Sequence, residues 1–426
     1  MNRSIVYFFF VLVIFLIVRI PCTAEKFFTI DHISKPTDIL VIDNRLYITD
    51  QKSVQMYSLK EKKWICQVGK PGLGTGEYLE NPYVVFQPPD KILILSPMSK
   101  KLLTFTLDGE FISEKRFRMN INTIEPLGPG YVASTLAYFK GAEKKCFDST
   151  ILLNADLKKI KEIDFYEFPN PLKEYHVLPF SPWYKVYDGK LFLSKPREGF
   201  VFDVFGINGE RIYRIKHKYN EVPVTEESKS LKLAQLRSQK REIWDNIKDI
   251  IYFPDYFPSV RDFVISGDKI YARTWIEKKN KIQFLVTALD DGKGSETRSK
   301  WLPYSGGLYA IENGWYYYLK ETEPQDTWEL HTVPVEKVEP PETGIPDERI
   351  GEENNEIHID STEEKRGCPP GEMKKQPLTI IENVLKGLFF FYPGDFGFQF
   401  IDRFLLGFNH PGLLLERFLL FLYNFG

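Results

Sequence analysis

Cysteine is scarce, with four residues in a chain of 426. Cys22 falls in an N-terminal segment with the marks of a cleaved leader, which leaves Cys66, Cys146 and Cys368. Three thiols cannot all pair within one chain, and no CxxC occurs, so neither a disulfide framework nor a structural zinc site is indicated. Cys66 and Cys146 sit in stretches that read as strands of different sheets, where buried free thiols are expected. Excess charge of either sign is also missing, since 56 Lys and Arg face 58 Asp and Glu for a formal net charge of −2. Nucleic-acid binding needs a basic field to displace counterions, so no nucleic-acid partner is expected. The catalytic signatures G-x-S-x-G, P-loop and H-E-x-x-H are absent. Residues 72–77, "GLGTGE", are not a nucleotide loop, because a strand follows them where a dinucleotide fingerprint needs a helix. Strong helical periodicity is nearly absent before about residue 225.

The N-terminus carries the clearest local signal. Arg3 precedes an unbroken apolar run from Ile5 to Val18, and Pro21, Cys22, Thr23 and Ala24 close the segment. A basic start, an apolar stretch and small residues make residues 1–24 a signal peptide cut after Ala24. The run is shorter than the ~20 residues of a membrane span. An uncleaved anchor, with Arg19 near its far end, is the alternative. A lipoprotein would need a small residue where Pro21 stands. The mature chain is therefore expected to be exported, periplasmic or at a cell surface.

Aromatic residues are plentiful at 15%, mostly Phe and Tyr, which favour pleated strands. From residue 26 to 335, short apolar-aromatic runs alternate with Gly, Asn, Asp and Pro. Short strands at roughly 8–12-residue spacing suggest a sandwich, barrel or propeller, and a repeat of ~40–50 residues selects the propeller. The clearest copy runs from Pro82 to Phe117: "PYVVF", "DKILIL", "KLLTFTL", Asp108-Gly109 and "EFISEKRF". Others follow Trp183, with turns at Asp188-Gly189 and Asn208-Gly209, and precede Gln67, with a turn at Asp43-Asn44. A fourth surrounds Gly267-Asp268, and a worn copy spans residues 121–165. The last, Gly307 to Val335, has only three strands, while an orphan strand "KFFTI" stands at residues 26–30. Lending the orphan to the last copy closes a ring and removes an exposed edge. The expectation is an all-β, six-bladed β-propeller over residues 25–335, with residues 26–30 beside 328–334.

Residues 222–250 interrupt the pattern with helix formers. Thr225 followed by Glu226 and Glu227 marks a helix start, and Leu231, Leu236, Ile243 and Ile247 recur at mixed intervals. This reads as a helical insertion between blades 4 and 5, lying over the face that carries the inter-blade segments. Residues 336–376 are rich in Pro and Glu with few apolar residues, which makes an acidic, solvated linker. Residues 377–426 turn Phe-rich and apolar, broken by Pro393, Pro411, Asp402, Arg403, Glu416 and Arg417. These breaks argue against a full crossing and leave two readings, short amphipathic helices that tether the chain to a membrane surface or a hairpin packed on the propeller.

Residues 69–95, "GKPGLGTGEYLENPYVVFQPPDKILIL", resemble the inter-blade signature of NHL-type six-bladed propellers. Gly69, Gly72, Gly74, Gly76, Glu77 and Tyr78 match its glycine-rich turn, and Pro82 its proline. Residues 223–227, "PVTEE", and "FPSVRDFVISGDKIYA" resemble a group of exported bacterial six-bladed propellers without a settled role. The resemblance covers roughly residues 26–335. It implies the fold but leaves function open, because NHL-type propellers include lyases, ring-opening esterases and binding modules.

Inner strands are expected near Asp38, Pro82, Ile124, Trp183, Asp262 and Gly306. Two aspartates on separated blades make a poor calcium cage, so Asp38 and Asp262 read as turn residues. His32, His176 and His217 fall in inter-blade segments and are the set that could meet a zinc ion, with an open position for a lyase or hydrolase. Isolated loop histidines usually face solvent, so no cofactor is the first expectation. The remaining function is a binding surface. Loops between second and third strands, with the inter-blade segments, contribute Tyr138, Tyr175, His176, Trp183, Arg197, Arg273 and Trp275. Aromatic rings beside guanidinium groups suit a protein, peptide, sugar or acidic ligand.

Overall fold

The computed structural model describes residues 25–140, 145–168, 174–178, 182–239, 244–289, 297–322 and 327–337. The leader, the tail and all of the linker beyond residue 337 lie outside the described residues, so the expectations for them have no counterpart below.

Six antiparallel sheets of four strands follow one another along the chain. Blade 1 comprises Pro36–Ile42, Arg45–Asp50, Ser53–Ser58 and Lys63–Gln67. Blade 2 comprises Tyr83–Gln87, Lys91–Ser96, Lys101–Thr106 and Phe111–Arg116. Blade 3 comprises Ile121–Leu127, Gly130–Lys140, Lys145–Leu153 and Lys159–Phe168. Blade 4 comprises Tyr184–Tyr187, Lys190–Ser194, Phe200–Phe205 and Arg211–His217. Blade 5 comprises Asp262–Ser266, Lys269–Lys278, Lys281–Ala288 and Arg298–Pro303. Blade 6 takes Tyr309–Glu312, Trp315–Thr322 and Thr327–Pro334, and its fourth strand is the N-terminal Glu25–Ile30. This is an all-β six-bladed propeller with two short helices among the described residues.

The turn chemistry explains the regularity. Asp43 and Asn44 have φ of 47° and 62°, and Asp188 and Gly189 have 48° and 67°. Two successive positive φ values make the tight hairpin whose twist matches its strands, and Asn, Asp and Gly tolerate them. The closing strand pairs as the strand count requires, with Glu25 opposite Thr332 and Ile30 opposite Trp328.

Contacts divide the described residues into two compact units, one of residues 25–114 and 261–337, the other of residues 115–260. In the first, Phe28 and Ile30 pack with Ile39, Leu46, Ile48 and Leu330 where blades 6 and 1 meet. Tyr47, Val54, Tyr78, Ile94 and Phe105 fill the space between blades 1 and 2. Tyr271, Phe284, Tyr309 and Tyr316 do the same between blades 5 and 6. Between blades 1 and 2 the chain runs through the glycine-rich turn. There Gly69 has φ +64°, and a Cβ on it would stand 2.9 Å from the Tyr78 ring. Lys70–Pro71 and Glu77–Tyr78 pair in parallel across this turn.

In the second unit, Leu127, Leu152, Tyr184, Leu191 and Leu193 form the core between blades 3 and 4. Its insertion contains helices Glu226–Gln239 and Trp244–Ile247. Thr225 accepts the Ser228 N–H at 3.2 Å, and Glu226 and Glu227 occupy the positive first turn. The helix faces differ from the sequence expectation. Leu236 and Ile247 are buried, Leu231 is exposed, and Ile243 lies outside the described residues. With so many Lys, Ser and Gln residues the long helix has little apolar face, and Leu236 is the one residue of it that is buried among the described residues. Cys66 also departs from expectation. It is half-buried in the outer strand of blade 1, because outer strands face solvent on one side. The Cys146 side chain lies outside the described residues.

Candidate functional site

The second unit builds a platform from the segments that join its blades. Tyr175–His176, after blade 3, pairs in parallel with Ile251–Tyr252, after the helical insertion. Tyr175, Leu236 and Ile247 form a small buried cluster of their own, flanked by Val177, Trp244, Ile250 and Ile251. The insertion is thereby fixed onto an inter-blade segment. The His176 ring lies 4.5 Å from that of Tyr252, and its Nε2 meets the Glu174 carboxylate. Tyr252 and Tyr256 keep 41% and 45% of their surface exposed, enough for each ring to meet a ligand.

Blades 3 and 4 carry a charged cluster in the same unit. The exposed Arg197 guanidinium stacks 4.0 Å over the Tyr166 ring, and Lys195 pairs with Asp164 at 2.5 Å. Arg214 forks onto buried Asp203 at 2.6 and 2.8 Å and reaches Glu198 at 2.7 Å. Burial, with the Asp164 charge second, pushes the Asp148 carboxyl up to about 7. Folding therefore favours protonated Asp148. That preference costs nothing at pH below ~4, where the unfolded chain is protonated too, and the cost grows as pH rises toward 7. Asp148→Asn should then stabilise the protein by about 1–2 kcal/mol at pH 8 and leave it unchanged at pH 3.5. Urea titrations of both proteins at the two pH values check this, and an equal effect at both would contradict it.

In the first unit, Arg273 and Trp275 lie within the second strand of blade 5 rather than in a loop. The buried Arg273 guanidinium donates from Nε to Asp262 Oδ1 at 3.0 Å and from Nη2 to Oδ2. The Tyr309 hydroxyl donates to Asp262 Oδ1 at 2.6 Å, and the Tyr309 ring lies 5.0 Å beneath the guanidinium. Arg261 covers the Trp275 ring at 4.6 Å and reaches Glu277 at 3.3 Å. Asp262 is thus the acceptor at the centre of a buried pair, not a turn residue. Asp38 likewise sits inside a strand, where its carboxylate accepts the Ile39 N–H.

The other expected residues have simpler surroundings. Trp183 is half-buried just before the first strand of blade 4, and its backbone exchanges hydrogen bonds with Ser194. Tyr138 lies on the second strand of blade 3, with its side chain outside the described residues. His32 lies 4.6 Å from the Trp64 ring, and His217 5.8 Å from Phe200. Among the described residues, no three His, Cys, Asp or Glu side chains are grouped to hold a metal ion. Glu174, Tyr252 and Tyr309 were missed from sequence, and Asp262 was named but given a turn role. Only Asp262, at the start of an inner strand, left any signal.

The profile of the DUF5128 family, described as a 6-bladed beta-propeller, matches residues 23–246. The chain belongs to this family. The DUF5128 match covers blades 1 to 4 and ends inside the helical insertion. Solved structures similar to this DUF5128 chain include a Bacteroides fragilis protein inferred to be exported. That protein is 13% identical, with a TM-score of 0.45 over 73% of this chain and 94% of its own. Kuenenia stuttgartiensis hydrazine synthase is 12% identical, with a TM-score of 0.36 over 67% and 74% of the two chains. A Bacteroides caccae protein of unknown function is 10% identical, with a TM-score of 0.34 over 69% and 90%. No curated protein matches the DUF5128 chain.

Proposed function

We propose that this chain is an exported ligand-binding propeller that recognises a protein, peptide or sugar through its inter-blade segments. The observation that carries the reading is the platform in the second unit. A turn of a few residues suffices to pass from one blade to the next, yet here two such segments pair with each other and acquire their own buried cluster. Ordering that much backbone costs roughly 1–2 kcal/mol per residue, which a mere connection does not require. Loops positioned by a rigid scaffold are where binding residues concentrate. The exposed Tyr252 and Tyr256 rings offer contact surface suited to such ligands, and the same unit carries the stacked Arg197.

Export rests on the leader pattern, and the chain geometry is compatible with it. The closing strand starts at Glu25, so a cut after Ala24 leaves all of it in the mature protein. The glycine-rich turn from Gly69 to Pro82 supports an NHL-type lineage within the six-bladed propellers. The Phe-rich residues 377–426 then serve as a tether to a membrane surface.

Arrays of oligosaccharides and short peptides, probed with the full chain and with Tyr252→Ala, test the binding reading. We expect a small set of related ligands to be retained by the full chain and weakened about tenfold or more in the variant. An array on which the full chain retains nothing above background, or on which the variant behaves identically, would overturn it.

A further inference from the structure

Arg273 is buried to all but 6% of its side chain, an expensive place for a guanidinium unless its donors are used. A guanidinium has five N–H donors in a planar fork, and two edges of that fork can each meet a carboxylate. Asp262 takes one edge, through Nε and Nη2. The other edge, led by Nη1, faces the turn between blades 5 and 6. That turn is Ser305–Gly306–Gly307–Leu308, closed by the Leu308 N–H on the Ser305 carbonyl at 3.1 Å.

Two successive glycines in this turn have φ of +65° and +118°. Such values favour glycine, and the consequence for Arg273 is specific. A Cβ on Gly307 would stand 3.6 Å from both Nη1 and Nη2, so a side chain there would cover the edge that glycine leaves bare. Nothing crowds a Cβ at Gly306, where no atom lies within 4 Å. The guanidinium needs no ordering to receive a ligand. Asp262 holds it in plane from one side, the Tyr309 ring supports it from below, and the Tyr309 hydroxyl fixes Asp262 in turn. Pre-set donors of this kind favour binding because their ordering cost is already met by folding. Trp275 lies two positions along the same strand, with Arg261 stacked on its ring. The Asp262 and Arg273 charges offset each other, so the site selects by hydrogen-bond geometry more than by net charge.

We propose that the bare Nη1 edge of Arg273, opening over Gly306 and Gly307 beside Trp275, binds the carboxylate of a small acidic ligand. This rests on the reading of the chain as a binding protein and goes beyond it, because the site is separate from the platform of the second unit. A carboxylate matches the spacing of two N–H donors on one guanidinium edge, where a neutral hydroxyl would accept only one. The carboxylate can belong to a sugar acid or to the C-terminus of a peptide. Both present an oxygen pair on a body that can lie against an indole.

Calorimetric titration of the full chain separates these sources and tests the site. The probes are oligogalacturonate and its methyl ester, and a short peptide with a free C-terminus and its amide. We expect one acid to bind and its neutral counterpart to bind about tenfold or more weakly. Gly307→Ala keeps the Arg273–Asp262 pair and covers the edge, and it should weaken the acid by a similar factor. Arg273→Lys, which keeps the charge but loses the fork, should do the same, with circular dichroism and melting showing both variants folded. Equal binding of acid and neutral forms, absence of binding by either acid, or full affinity in folded Gly307→Ala would overturn the proposal. If neutral sugars or peptides bind and Tyr252→Ala abolishes that binding, the binding reading stands while the carboxylate site falls.

Discussion

Deleting residues 25–31 should leave a protein that no longer accumulates in folded form. The strand Glu25–Ile30 supplies the outer edge of blade 6, and the deletion would strip its partner, Thr327–Pro334, of a complete ladder. Phe28 and Ile30 are both buried in the cluster shared with blade 1. At about 1.5–3 kcal/mol each, their burial alone contributes roughly 3–6 kcal/mol. The hydrogen bonds of the ladder add to this at about 0.5–1.5 kcal/mol apiece. The Lys26–Glu329 pair at 2.6 Å is exposed and adds little. The sum is comparable to the whole net stability of a typical domain, about 5–15 kcal/mol. The exposed edge would also recruit other chains, so aggregation should accompany the loss. Size-exclusion chromatography and circular dichroism of the truncated chain check this. A monomeric protein with the full chain's melting curve would show that blade 6 does not need the strand. Phe28→Ala gives a graded version, with an expected loss of about 3–5 kcal/mol in urea titration.

That closure was legible from sequence because it is a counting argument. One spare strand at the start and one missing at the end have a single economical solution, and Glu25 opposite Thr332 is that solution. Turns were legible for a local reason, since Asp43-Asn44 and Asp188-Gly189 announce positive φ through residue type alone. The site was much less legible. Tyr175–His176 pairs with Ile251–Tyr252 through two residues on each side, about 75 positions apart, and two residues carry no period. Asp262 was read as a turn residue because an Asp beside a strand usually is one. Its roles for Arg273 and Tyr309 depend on how blade 5 registers against blade 6, which no local pattern encodes. Arg273 and Trp275 were expected in a loop but lie in a strand, because the second strand of blade 5 continues to Lys278, past the five-residue first strand.

The glycine-rich turn illustrates the same boundary and yields the second large effect. Its glycines are visible in the sequence, but the group that holds it is not. Lys101, at the start of the third strand of blade 2, is only 2% exposed. Its ammonium donates to the carbonyls of Leu73 at 3.0 Å, Gly74 at 2.6 Å and Glu77 at 3.5 Å. It also pairs with Glu114 at 3.2 Å, and Glu114 accepts the Gly76 N–H at 3.1 Å. The pair thus staples both polarities of the turn, the cation taking carbonyls and the carboxylate an amide. Lys101→Met keeps the apolar stem and removes every donor. It takes the ammonium away from three carbonyls of the turn and from Glu114, and removing one partner of a buried pair typically costs about 3–5 kcal/mol. Replacing both partners, Lys101→Met with Glu114→Gln, removes the stranded charge and should recover part of that loss. The effect should be largest at the turn itself. The Gly72 N–H on the Tyr78 carbonyl and the Glu77 N–H on the Gly74 carbonyl should lose protection from hydrogen exchange, ahead of the strand amides of blade 2. If Lys101→Met melts like the parent and those two amides exchange at parental rates, Lys101 is a bystander, and the glycines hold the turn by their own conformation.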